Sequence, residues 1–271
     1  MDIKRVTSAL LGFPLVVIIL TFGNKYIVDI FLASIAFLSM QEYFNAVEKE
    51  SKPVRWLGYI SCLFIALIHI VPENLPIEVV NNILILSIPM LVLILFAQVI
   101  ITNMKTNFKD IAYTLFGIIY IITCISFLAL IRGKENGRIL VWYAIIAAWG
   151  TDTFAYLIGK RFGKHTFSKI SPKKSIEGCI AGTIGAIIIS IIYTAIMNSV
   201  YNLGYSYIHI TILIFALSII GQMGDFAASS IKRHVNVKDY SNLIPGHGGM
   251  LDRIDSLIFL APFAYVLFSM M

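Results

Sequence analysis

Nine apolar runs divide this 271-residue chain, near residues 6–22, 26–45, 55–72, 77–101, 110–131, 139–159, 176–198, 207–231 and 253–271. Each is roughly 17–25 residues long, the length an α-helix needs to cross a hydrocarbon core about 30 Å thick. Lipid offers backbone N–H and C=O groups no partners, so runs of this kind cross as helices that bond internally. The pattern predicts an all-α, polytopic membrane protein with about nine transmembrane helices. Composition agrees: with 58% hydrophobic and 13% charged residues, the chain has too little polar material to cover a soluble globule. Lys4 and Arg5 before the first run resemble the start of a signal peptide. No small-x-small cleavage pattern follows before Asn24-Lys25-Tyr26, so the run is read as the first membrane helix.

Charge orients the spans. With nine crossings, the N-terminus and the loops near 46–54, 102–109, 160–175 and 232–252, together with the residues at their helix ends, share one side, and they hold all but four of the 21 Lys and Arg residues. The exceptions are Lys25, Arg132, Lys134 and Arg138. The positive-inside rule then predicts a cytoplasmic N-terminus, cytoplasmic long basic loops and an external C-terminus in the cell membrane. The net charge of +6 is spread over short loops with few aromatics, which fits anionic lipid headgroups and not nucleic acid. Cys62, Cys124 and Cys179 lie far apart in apolar surroundings and form no metal or redox pattern. The expected organisation is one integral unit. Residues 1–131 supply about five supporting spans, and residues 132–271 carry the chemistry.

Within the first region only Asp29 and Glu42 stand out, as ionisable groups in or at the end of a span. Ionisable groups within a membrane are often functional, but here the favoured reading is structural: each could cap a helix, pair with a basic neighbour or lie at the interface. The polar information lies further on. Asp152 sits well inside an apolar run, where a carboxylate needs a cation, a metal or water. The sequence Ser171-Pro172-Lys173-Lys174-Ser175-Ile176-Glu177-Gly178 predicts a helix starting near Ser175. Glu177 lies in its first turn, where it complements the dipole, and the adjacent lysines stand where a helix N-terminus can receive an anion. Gly178 and Gly182 form a small-xxx-small pair suited to close helix packing.

The stretch from Gly221 to Asp255 is the richest. On a helix, Gly221, Asp225, Ser229 and Lys232 share a face, with Gly224 and Ala228 beside it leaving room for a backbone or a substrate. Arg233 and Lys238 follow. Pro245-Gly246-His247-Gly248-Gly249 then offers flexible backbone whose amides can turn toward an oxyanion, and Asp252, Arg253 and Asp255 open the last apolar run. Carboxylates and a hydroxyl gathered with Lys and Arg suit a hard divalent cation holding phosphates. Zinc does not fit, because the cysteines lie elsewhere and His234 and His247 are too few. The residues alone point to metal-assisted phosphate transfer at a membrane surface.

At these residues the chain resembles the phosphatidate cytidylyltransferase family, the CDP-diacylglycerol synthases. The resemblance rests on the signature of 229–255: Ser229-Ser230-Ile231-Lys232-Arg233, Lys238-Asp239, Ile244-Pro245, His247-Gly248-Gly249-Met250 and Asp252-Arg253-Ile254-Asp255. The runs Gly159–His165 and Ser171–Gly178 look like the family too, with Ile176 where many members carry tryptophan. The resemblance covers about the last 125 residues. It implies that CTP and phosphatidic acid give CDP-diacylglycerol and pyrophosphate with Mg²⁺, and that a second cation such as K⁺ and a homodimer are to be expected. Carried over by position, Asp225 and Asp252 become the metal ligands, with Ser229 and Asp255 as further candidates. Lys232, Arg233, Lys238 and Arg253 hold phosphates, assisted by Gly248 and Gly249 and with His247 nearby. Asp152, Lys173, Lys174 and Glu177 ring the nucleotide. Two rivals fit less well. A transporter would carry paired broken helices with polar groups at the midplane of both halves, and a CDP-alcohol phosphatidyltransferase would carry an Asp-Gly pair where this chain has Asp225-Phe226.

Overall fold

The computed structural model describes residues 3–70, 77–168, 171–172, 174–246 and 248–271. Helix is the only regular element among them; strand-like pairing is confined to two isolated bridges, Thr166 with Ser175 and Ile244 with Gly248. The helices are α1 (Ile3–Phe22), α2 (Lys25–Val47), α3 (Arg55–Leu67), α4 (Ile77–Ile101), α5 (Phe108–Gly133), α6 (Gly137–Phe162), α7 (Ile176–Tyr201), α8 (Tyr207–His234) and α9 (Leu251–Ser269). Five of them, α2, α5, α6, α7 and α8, are long and apolar enough to cross a membrane. Helix α3 is shorter than the apolar run that contains it: it stops at Leu67 after 13 residues, about 20 Å at the helical rise.

Side chains outside the apolar runs set the helix starts. Asn24 accepts from the Ile27 N–H at 2.9 Å to cap α2. At α5, Asn107 and Asp110 cap one another's backbone in a reciprocal box. Ser175 Oγ accepts from the Gly178 N–H at 3.1 Å, so α7 begins where the Lys-Ser-x-Glu pattern places it. Both α5 and α6 contain a wider π segment, at Ile118–Thr123 and Ile146–Gly150, and the second ends just before Asp152. Insertions of this kind re-aim the side chains that follow them.

The chain forms two compact units. The first comprises Met1–Ala129 and Tyr240–Leu251. Its core gathers Met40, Tyr43, Phe44, Ile65, Leu95, Ile121 and Ile125, all fully buried. Asp110 is buried here as well, accepting from Ser51 Oγ and Lys52 N, each at 2.6 Å, which ties the loop before α3 to the start of α5. Asp29 faces His69 Nδ1 at 2.7 Å.

The second unit comprises Leu130–Asp239 and Asp252–Met271. Its seam is the approach of α6 to α7. A Cβ on Gly178 would lie 2.8 Å from the Ala155 carbonyl oxygen, and one on Gly182 would lie 2.6 Å from that of Thr151. Glycine is needed at both positions so that backbone can meet backbone, and this is the packing role their spacing implies. Ile180, Ile184, Ile188, Ile192 and Ile196 recur every fourth residue along an exposed face of α7, an apolar stripe suited to lipid.

Gly182→Val should therefore destabilise the protein by about 1–3 kcal/mol through overpacking, whereas Ile184→Val on the exposed stripe should change little. Thermal unfolding of both variants in detergent checks this, and equal midpoints would remove the seam as a determinant.

Candidate active site

A cavity of about 450 Å³ opens within the second unit. Every element of that unit near it contributes polar groups: Asp152 and Tyr156 from α6, Lys174 and Ser175 before α7, Gln222, Asp225 and Lys232 from α8, and Asp252, Arg253 and Asp255 from α9. Ser171 and Asp239 complete the polar lining, with Ala155, Gly178 and Cys179 between them.

Opposite charges are paired across helices. Lys174 Nζ forms an ion pair with Asp225 Oδ2 and lies 5.0 Å from the centroid of the Phe226 ring, which stacks on Phe167 at 4.8 Å. Burial disfavours the Lys174 ammonium, but the charges of Asp225 and Asp152 outweigh it and hold its pKa above the ordinary lysine value. Lys174 is therefore a permanent cation at physiological pH. Lys232 Nζ donates to Asp252 Oδ1 at 2.7 Å, and the Asp252 side chain is 3% exposed. Asp152 Oδ2 accepts from Ser256 Oγ at 3.0 Å, and the Asp255 carboxylate accepts from the Ser256 N–H at 2.9 Å. Trp149 Nε1 donates to the Arg253 carbonyl at 3.3 Å, tying α6 to the first turn of α9.

Below these charges a hydroxyl network joins three helices. Ser218 Oγ lies 2.7 Å from Thr151 Oγ1 and 2.9 Å from Thr183 Oγ1, and Gln222 Nε2 donates to Thr183 Oγ1 at 3.0 Å. These groups satisfy one another in an apolar interior, where an unmet hydroxyl or amide is costly. The room beside Gly224 is taken by α9, since a Cβ there would fall 2.4 Å from that of Phe259.

Of the residues singled out from the sequence, Asp152, Lys174, Asp225, Lys232, Asp252, Arg253 and Asp255 all line the cavity. Ser229 is half-buried on α8, while Arg233 and Lys238 are exposed; none of the three is among the lining residues. Glu177 instead faces His165 Nδ1 at 2.6 Å and accepts from the Lys164 and His165 amides, so it folds the basic turn after α6. Gly248 and Gly249 belong to the first unit. Lys173 and His247 lie outside the described residues. Sequence reasoning missed Tyr156, Gln222 and Ser256. Gln222 had a signal, lying one helical turn before Asp225 on a face already known to be polar; Tyr156 among apolar neighbours had none.

Among the described residues, no three His, Cys, Asp or Glu side chains are gathered as a ready metal cage. A Mg²⁺-type cation needs none, because it takes one or two carboxylates and completes its shell with water and phosphate oxygens. Asp225 and Asp252 fit in donor chemistry, and each now faces a lysine ammonium.

The Cytidylyltransferase family profile matches residues 3–271. A phosphatidate cytidylyltransferase of Staphylococcus haemolyticus is 31% identical over 272 residues, covering 100% of both chains. One of Staphylococcus saprophyticus is 32% identical over 244 residues, 89% of each chain. One of Bacillus subtilis is 33% identical over 181 residues, 66% of each.

Lys232→Met removes the ammonium that the buried Asp252 carboxylate faces and should cost about 3–5 kcal/mol. The double variant Lys232→Met/Asp252→Leu should recover much of that loss. Unfolding of both in detergent measures the coupling, and additive losses would deny it.

Proposed function

The chain belongs to the cytidylyltransferase family, and from that premise we propose that it converts CTP and phosphatidic acid to CDP-diacylglycerol and pyrophosphate at the cytoplasmic face of the cell membrane. As a member of that family it is a nucleotidyltransferase and a membrane protein. The observation that carries the reading is the cavity in which Lys174, Lys232 and Arg253 alternate with Asp152, Asp225, Asp252 and Asp255. Cations of this kind attract a polyphosphate, and the carboxylates suit the metal that accompanies one.

A phosphate monoester is largely ionised near neutral pH, so an oxygen of the phosphatidate headgroup can attack the α-phosphorus of CTP without a dedicated base. That bond forms as the bond to the bridging oxygen breaks, and pyrophosphate leaves in line. The protein's tasks are to align the two phosphates and to offset their mutual repulsion. Lys174, Lys232 and Arg253 are assigned to the phosphates, and the neighbouring Asp225 and Asp152 favour the charged form of Lys174. Asp152, fixed by Ser256, is assigned to positioning on the nucleotide side. Asp225 and Asp252 would hold Mg²⁺, with Asp255 and Ser229 nearby; bound there, the ion would neutralise charge on the phosphates. A second cation such as K⁺, a homodimer, nine crossings and an external C-terminus complete the proposal. The last two rest on the distribution of Lys and Arg between loops.

Purified protein given labelled CTP, Mg²⁺ and phosphatidate should transfer label to the lipid phase; no lipid label would sink the assignment. Asp252→Asn should lower kcat by about 10²-fold or more while the protein stays folded in detergent, and near-normal turnover would remove Asp252 from the site. A tag at Met271 should be reachable from outside intact cells, and protection there would contradict the proposed topology.

A further inference from the structure

Helix α9 begins without a capping side chain of its own. The residues leading into it are Gly248, Gly249 and Met250, none of which carries the side-chain oxygen that ordinarily accepts from the free N–H groups of a helix N-terminus. The acceptor comes from α2. Glu42, 4% exposed, accepts from Met250 N through Oε1 and from Leu251 N through Oε2, each at 2.8 Å. The same Oε1 accepts from Ser241 Oγ at 2.6 Å, and Ser241 Oγ in turn accepts from Leu243 N at 3.0 Å. One carboxylate thus fastens both ends of the loop 240–251, 199 to 209 residues away in sequence. Its charge also lies at the positive end of a helix dipole.

Gly249 completes the fit. Its φ is not in the left-handed region that Gly246 and Gly248 occupy, so conformation alone does not demand glycine. The contact itself uses the space, because a Cβ there would lie 2.5 Å from Glu42 Oε2 and the carboxylate would have to shift. Asp252 follows Leu251 by a single peptide bond, a step of about 3.8 Å between Cα atoms.

We propose that Glu42 is a positioning residue for the reaction: from α2 it holds the amides of Met250 and Leu251 and so orders the loop 240–251, whose last residue directly precedes Asp252 in the chain. The idea rests on the nucleotidyl-transfer reading for its kinetic consequence, though not for its structural one. Glutamine at position 42 would turn an amide N–H₂ toward one of the donors. Aspartate would keep the charge but fall one methylene short.

The test uses the full-length chain in detergent. It follows amide hydrogen exchange in a peptide covering 240–251, together with transfer of labelled CTP to phosphatidate. The variants are Glu42→Gln, Glu42→Asp, Gly249→Ala and the double Glu42→Gln/Gly249→Ala. The reference is Asp29→Asn, which alters a buried carboxylate of the same helix that faces His69 instead. Glu42→Gln and Gly249→Ala should each speed exchange in the loop about tenfold, the ratio one lost hydrogen bond carries. They should lower kcat about 100-fold with KM for CTP within about threefold. The double variant should be no worse than the poorer single one, because both changes break the same contact. Asp29→Asn should leave loop exchange and kcat near wild type. Unchanged loop exchange in the Glu42 variants, or an equal kcat loss in Asp29→Asn, overturns the proposal. If Glu42→Gln does not fold, Glu42→Asp and Gly249→Ala carry the same comparison. Exchange is read without substrate, so an inactive wild-type protein would defeat the reaction assignment and leave the exchange result to decide the role of Glu42.

Discussion

Charge in an apolar surrounding has to be compensated locally, and the second unit is built around that requirement. Asp152, Asp225, Asp252 and Asp255 share one cavity, and isolated carboxylates at such depth would be prohibitively costly. Two of them are met by lysines from other segments, Lys174 and Lys232, and a third by a serine hydroxyl. Each pairing joins two elements, so the chemistry that charges the site also holds its walls together. Ion pairs of this type contribute little net stability over an apolar core, but breaking one side is severe. What these pairs do provide is a cavity lined by both signs of charge, with Lys174 and Lys232 set against Asp225 and Asp252.

How much of this was legible in the sequence depends on the range of the interaction. Helices were readable from apolar runs, and the start of α7 at Ser175 from its capping chemistry, because both are local signals. The shared face of Asp225 and Lys232 was readable too, since helical periodicity alone puts them together. The convergence of α6, α8 and α9 was indicated only by the costliness of Asp152 in a span, which says that a partner exists without naming Ser256. Glu177 shows the opposite failure: its place in a first turn was right, but its partner, His165, lies across a turn that periodicity does not describe. Tyr156 and the Ser218–Thr183–Gln222 network carry no pattern, because single hydroxyls and rings occur in lipid-facing helices as well.

The first unit changes meaning in the same way. From the sequence it offered two stray carboxylates among generic apolar helices. In the fold, Asp29 is met by His69, whereas Glu42 reaches the densest part of the signature and orders its backbone. Sequence distance hid this, because a cap supplied from another helix leaves no trace near the helix it caps.

Gly178 belongs both to the seam between α6 and α7 and to the lining of the cavity. On that side the cavity is therefore walled by main chain. A wall of side chains can be recut by changing rotamers or by single substitutions, as in pockets whose specificity drifts readily. A wall of main chain takes its shape from the distance between two helix axes and can be altered only by moving a whole helix. The shape of the cavity on that side is thus set by how closely α6 and α7 approach one another.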